Sequence, residues 1–300
     1  MSNITNFPNG ASSFGVVLYP GAGALPVGGR WWFVDTVNGN DGATGESFDQ
    51  AKLTVNGVFT DPNFGSLDVI EINGKVREQL VAPLGVYGVT IIGNNTTPRH
   101  DLASSWVPPA APVAATPLLE LREQGWVIQN LLMQAPTDAA AVMLHRAESA
   151  TYPDPSHAQF LGVRFAGGSI GIQDNGGCFN VKVLGCTFQS LTGAAIRTSS
   201  TAIAVPLMWE IRGNRFLLCT NGIQVSLNDS QITGNVIEKA TTETINTIYA
   251  SAQGARNFVA LNEFNIAAAD FDPAGGVTGS ATDHWHNYLN DTEEFGVPAN

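Results

Sequence analysis

The sequence predicts an all-β protein, a single-stranded right-handed parallel β-helix, on three observations. First, a phrase recurs: Ile211-Arg-Gly-Asn-Arg-Phe216 returns 21 residues later as Ile232-Thr-Gly-Asn-Val-Ile237. Second, an apolar beat follows the anchors of this phrase, at Ile172, Ile196, Ile223 and Ile245, with Gly171 and Gly222 just before two of them. Third, only 13% of the residues are charged, against roughly 25% in a typical soluble domain, while 32 are Gly and 16 Pro. Repeats with a period in the twenties mean stacked supersecondary units that bury their apolar faces against neighbours.

Taken in order, the chain opens on an arm, residues 1–28, in which Pro8, Gly10, Gly15, Pro20, Gly21, Gly23, Pro26 and Gly28 interrupt any long element. The arm still carries Phe7, Phe14, Val16, Val17, Leu18 and Tyr19. That much apolar surface without a core of its own points to docking on a partner or on an open solenoid end. The β-helix is expected over 29–270. Residues 30–35 (RWWFVD), 67–72 and 88–93 read as strands and 49–59 as a short helix capping the solenoid. Residues 106–117, rich in Pro and Ala, read as a surface excursion.

The coils follow. Their anchors are Leu132, Phe165, Phe188, Phe216, Ile237 and Phe264, expected to stack inside. The Asn after Gly, at Asn214 and Asn235 with Asn262 and Asn130 as relatives, is expected at a bend, bonding the backbone of the next coil. Residues 271–300 form a C-terminal segment packed down by Trp285 and Tyr288.

Charge and cysteine usage set the partners. A net charge of −12 without a basic patch argues against nucleic acid and anionic membrane. No stretch of about 18 apolar residues spans a bilayer, and the N-terminus has no signal-peptide pattern. Cys178, Cys186 and Cys219 read as buried free thiols of a protein folded in a reducing compartment.

The phrase W-F-V-D-x-V-N-G-x-D-G-x-x-G from Trp32 to Gly45, then V-x-I-I-G at Val89 to Gly93 and the I-x-G-N coils, resembles the right-handed β-helix superfamily typified by pectate lyases. Three further stretches, 3–10 (NITNFPNG), 203–214 (IAVPLMWEIRGN) and 279–285 (GSATDHW), resemble β-helix proteins encoded near virion genes of tailed bacteriophages. That resemblance implies a virion protein assembled in the host cytoplasm, a homotrimer decorating or cementing a capsid. Its partners would be sister subunits and the major capsid protein or another virion protein. The alternative is a tail spike or fibre that binds or depolymerises bacterial surface polysaccharide.

The residues themselves carry no recognisable catalytic pattern. The superfamily's hydrolase motifs (N-T-D, D-D, G-H-G, R-I-K) are missing. Of the coil carboxylates Asp174, Glu210, Asp229, Glu238, Glu243 and Glu263, no two occupy equivalent places in adjacent coils, as paired acid and base would require. Arg164, Arg197, Arg212 and Arg215 face no acidic cluster. Asp154 to His157 reads as a turn. Asp35, Asn38, Asn40 and Asp41 miss the calcium-loop spacing, and His284 and His286 lack a third ligand. Trp106, Trp126, Trp209 and Tyr152 are the aromatics placed in loops where sugars could stack. The sequence therefore predicts no enzymatic activity and no cofactor.

Overall fold

In a computed structural model the chain is described at residues 29–94, 104–145, 155–198, 206–238 and 256–265. Seven short strands, Ala11–Ser13, Val16–Leu18, Ile245–Asn246, Val277–Thr278, Thr282–Trp285, Asn287–Leu289 and Thr292–Glu294, are described by backbone alone.

One coil shows how the sequence winds. Gln159–Leu161 forms a strand of the first sheet, a tight corner leads to Arg164–Ala166 in the second, and Ile170–Asp174 lies in the third. The chain then rounds a wider corner and pairs in parallel with itself at Lys182–Leu184. The strands are three to five residues long and alternate: Phe160, Phe165 and Ile172 point in and are fully buried, while Gln159, Arg164 and Gln173 lie half-exposed. The first two faces hydrogen-bond through the tight corner as one 19-stranded sheet, and the third has eight strands.

The interior is a column of like residues. Phe165, Phe188 and Phe216 pair in register, with ring centroids 4.9 Å apart and ring planes within 9° of parallel. Ile237 and Phe264 continue the column. In the other direction Phe165 pairs with Met133, and Met133 with Trp106. The anchor of that coil is thus Met133, not Leu132, which stands beside the half-exposed Arg164. Ile172, Ile196 and Ile223 form a second column in the third sheet, and Ile245 continues the register by its backbone pairing with Ile223. Gly171 lacks a side chain for a packing reason: a Cβ there would lie 2.9 Å from the Phe188 ring.

The tight corner carries a buried ladder. Asn214 Oδ1 accepts the Cys186 amide, and Asn214 Nδ2 donates to the Val183 carbonyl. Asn235 and Asn262 repeat this one and two coils on, each amide also donating to the next. The side chains therefore bond the preceding coil's backbone, not that of the next coil. Cys186 holds the ladder position one coil earlier, and its thiol meets the equivalent carbonyl, Phe160 O, at 3.3 Å. Asn130 stands outside the ladder. It takes the left-handed position (φ 51°) that Gly185, Gly213 and Gly234 fill in other coils, and Leu131 occupies the ladder place.

The N-terminal cap splits in two: a 3-10 turn at Phe48–Gln50 and an α-helix at Val55–Phe59. Thr54 caps the helix by accepting the Gly57 amide, and Glu78 accepts those of Val55 and Asn56. Val55 and Val58 are buried, and Phe59 packs edge-on against Trp126. Parallel pairing continues beyond residue 270, through Val277–Thr278, Thr282–Trp285 and Asn287–Leu289. In the arm, where no element was expected, Ala11–Ser13 and Val16–Leu18 form an antiparallel hairpin. Phe7, Phe14 and Tyr19 lie outside the described residues.

Candidate functional site

The third sheet carries an outward row that the sequence does not announce. Val81, Glu120, Met143, Gln173, Arg197 and Gln224 stand side by side on successive strands. Strand spacing is about 4.8 Å, so Glu120 and Arg197 are about 14 Å apart. The row sits beside the wide corner, whose longest connections follow Leu144, Thr198 and Asn246.

Two places in the row bear chemistry. Glu120, with a side chain 12% exposed, receives the Arg122 Nε at 2.6 Å and has His145 Nδ1 at 2.9 Å. The imidazole Nδ1 lies beside the carboxylate without making an aligned hydrogen bond. Arg122 follows Glu120 by two residues and His145 follows Met143 by two, so strand alternation brings both to the outer face. Arg197 is the second place. Its Nε is buried and makes no hydrogen bond among the described residues. A buried donor without an acceptor costs about 1–3 kcal/mol.

Below the row, Asp174 is fully buried, and burial pushes its carboxyl up to about 6 although it accepts the Gly176, Gly177 and Cys178 amides. It is a brace for the wide corner rather than a surface group. The three cysteines are free and buried, and burial pushes the Cys186 thiol up to about 12 and that of Cys219 to about 11.

The remaining sequence candidates fall elsewhere. Trp106, Trp126 and Trp209 are not loop platforms: all three are buried, their indole N–H groups donating to the carbonyls of Glu78, Val86 and Cys178. Tyr152 is outside the described residues. Asp35 accepts the amides of Val37 and Asn38, and Asp41 those of Leu53 and Thr54, so both carboxylates serve turns. Arg215 pairs with Glu238 and Arg164 with Gln189 on the second sheet. His157 touches Asn180 and Phe179; Asp154 and His286 are outside the described residues, and His284 is known only by its backbone pairing with Val259. Among the described residues no group of three or more His, Cys, Asp or Glu is arranged to hold a metal.

No protein-family model matches the sequence, and no curated protein matches it. Solved structures do. The chain superposes on a GH136 lacto-N-biosidase from Eubacterium ramulus with a TM-score of 0.56 at 11% identity, over 87% of this chain but 56% of that one. It superposes on a pectate lyase with a TM-score of 0.50 at 11% identity, over 87% and 80% of the two chains. A pectin methylesterase from Aspergillus niger gives 0.50 at 13% identity, over 92% of each. The chain is thus a right-handed parallel β-helix of the pectate-lyase-like fold. Its neighbours are polysaccharide-related, and most are enzymes.

That corrects the expectation of no enzymatic activity. The expectation rested on missing motif carboxylates, and the fold is carried by a hydrolase, a lyase and an esterase. The physical reason is visible in the row: Glu120 and His145 meet across adjacent coils, a juxtaposition that no linear motif records. Identity this low shows the fold and assigns none of those activities.

Proposed function

We propose that this chain binds an extended polysaccharide along the outer face of the third sheet. The observation that carries the reading is the in-register row from Glu120 to Gln224, with the half-buried Arg197 guanidinium among its polar side chains. A flat, rigid row of polar side chains at about 4.8 Å spacing suits a linear ligand whose repeating units are of similar length. Within the row, Glu120 and His145 are the carboxylate and imidazole suited to proton transfer in a bond-breaking step, with Arg122 holding the carboxylate in place. The names of the fold neighbours, which include pectate and pectin enzymes, agree with a polysaccharide ligand.

The test is binding and turnover on bacterial and plant polysaccharides. Arg197→Ala is expected to weaken binding about tenfold or more, as loss of a charged hydrogen-bond donor should. Glu120→Gln is expected to leave binding in place and remove any release of reducing ends, unsaturated sugars or acid. Equal binding by wild type and Arg197→Ala would refute the reading.

A second reading places the protein in a phage particle, as a homotrimeric capsid decoration or a tail spike docked through Val16, Val17 and Leu18. The hairpin of Ala11–Ser13 with Val16–Leu18 favours it, because its strands leave edges on which a partner strand could add. Deleting residues 1–24 tests it: a folded chain that no longer joins particles supports the anchor, and unchanged incorporation refutes it.

A further inference from the structure

The wide corner, between the third sheet and the first, holds a feature that the row does not use. Coil after coil places one residue there in the left-handed conformation: Leu67, Gly88, Gly125, His157, Asn180, Met208, Asp229 and Arg256, at φ from 52° to 74°. Glycine adopts this backbone freely, whereas other residues are held in it at a cost of about 1–2 kcal/mol each. Gly88 and Gly125 meet it without strain, whereas Leu67 and the positions from residue 157 on hold a side chain there.

Three of these residues surround an exposed ring. Phe179, just before Asn180, is 39% exposed. Its ring meets the His157 ring edge to face at 4.9 Å, and Leu207 bridges to it on the next coil. Leu207 and Met208 are 36% and 58% exposed and extend the apolar shelf. The polar rim is ordered as well: Asn180 Nδ2 lies 2.7 Å from His157 Nδ1. An amide nitrogen donates, so Nδ1 accepts and the ring proton sits on Nε2. The rim then offers one donor, His157 Nε2–H, and one acceptor, Asn180 Oδ1. The backbone behind it is fixed, with His157 N donating to Phe179 O and Asn180 N to Leu207 O. Asp174 holds the turn that leads from Gln173 of the row to Phe179.

A hydrophobic face flanked by an uncharged donor and an uncharged acceptor matches a pyranose ring, which has an apolar C–H face and hydroxyls that both donate and accept. It matches neither an anionic sugar, for want of a cation at the rim, nor a peptide strand, for want of a free sheet edge. We infer that Phe179, with His157 and Asn180 at its rim, forms a stacking subsite for a neutral hexopyranose residue, placed so that a polysaccharide lying on the third sheet turns onto the wide corner. This rests on the third-sheet reading for its continuity, but it has its own residues and its own test.

Binding of maltohexaose, cellohexaose and galactan and β-1,3-glucan hexaoses is measured by calorimetry and by saturation-transfer NMR. The proteins are wild type, Phe179→Ala, Phe179→Trp, Asn180→Ala and Arg197→Ala. Phe179→Ala is expected to weaken binding of at least one oligosaccharide about tenfold, and Phe179→Trp to keep it, because a larger ring still stacks. Asn180→Ala should weaken it by a smaller factor. Because Phe179 is exposed, thermal unfolding of the Ala variant should match wild type. If Arg197→Ala weakens binding and Phe179→Ala does not, the subsite is wrong and the row stands. If Phe179→Ala weakens it and Arg197→Ala does not, the subsite stands alone. Binding to none of the four by wild type would overturn the subsite.

Discussion

Two corners of the same coil face the same backbone problem and solve it with different residues. The tight corner needs φ near +60° and takes it mostly with glycine, at Gly162, Gly185, Gly213 and Gly234, with Asn130 and Leu261 in the same place in the coils on either side. Beside these glycines a buried asparagine ladder satisfies the backbone internally. The wide corner needs the same φ but carries His157, Asn180, Met208, Asp229 and Arg256. A corner that only turns can be glycine with its polar groups sealed inside. The wide corner holds more such side chains than the tight one, while Ser190 and Leu218 adopt the same backbone at the corner between the second and third sheets, and outliers of this kind are often found where proteins bind ligands. The contrast separates a corner built mainly to turn from one that, on the function proposed above, also binds.

The largest expected effect tests the sealed side. Asn235→Ala removes the acceptor for the Asn214 backbone and side-chain amides and the donor to Ile211 O, all buried. At about 1–3 kcal/mol per orphaned group, with partial relaxation, the loss should be about 3–4 kcal/mol by denaturant unfolding. A loss under about 1 kcal/mol would mean the ladder is not what holds this corner.

The wide corner should respond to pH instead. Burial raises the Asp174 carboxyl from its usual 3.8 to about 6 in the fold. The folded protein therefore holds the proton more tightly than the unfolded chain. The contribution of Asp174 is full below the unfolded value and is lost as pH rises through about 6. Asp174→Asn, which cannot ionise, should gain about 3 kcal/mol relative to wild type between about pH 3 and about pH 7.5. A pH-independent difference between the two proteins would contradict the buried carboxylate.

The smallest effects oppose each other across the comparison. A Cβ at Gly213 meets nothing within 4 Å, so Gly213→Ala isolates backbone strain, about 1–2 kcal/mol of destabilisation. Met208→Gly should relieve the same strain and stabilise by about 0.5–1 kcal/mol, less the entropy glycine adds to the unfolded chain. Thermal unfolding of both variants reads the signs, and equal signs would erase the distinction between the corners.

The stacked interior was the legible part. Its residues repeat because stacking demands like on like: Phe165, Phe188, Phe216 and Ile237 at one column, Ile172, Ile196 and Ile223 at another. Legibility failed where a coil broke the phrase. Met133 took the anchor place from Leu132, and Trp106, read as a loop aromatic, lies beneath it in the core. The third-sheet row hid for the opposite reason, since binding needs unlike residues in neighbouring coils. Glu120, Met143, Gln173 and Arg197 share a row without sharing a motif. The signal that could have found them is strand alternation: Leu119-Glu120-Leu121 and Val142-Met143-Leu144 each hold one outward residue between two buried ones. Glu120 and His145 lie in earlier coils than the repeated phrase and share no motif, so nothing in the linear sequence pairs them.

The most direct test of the division is amide chemical-shift mapping of the full chain during titration with a bound oligosaccharide. The account predicts that the shifts concentrate at Glu120, Met143, Gln173 and Arg197 and around Phe179, while Gly185, Gly213 and Gly234 stay still. Shifts centred on the tight corner, or on the outer faces of the first and second sheets, would contradict it.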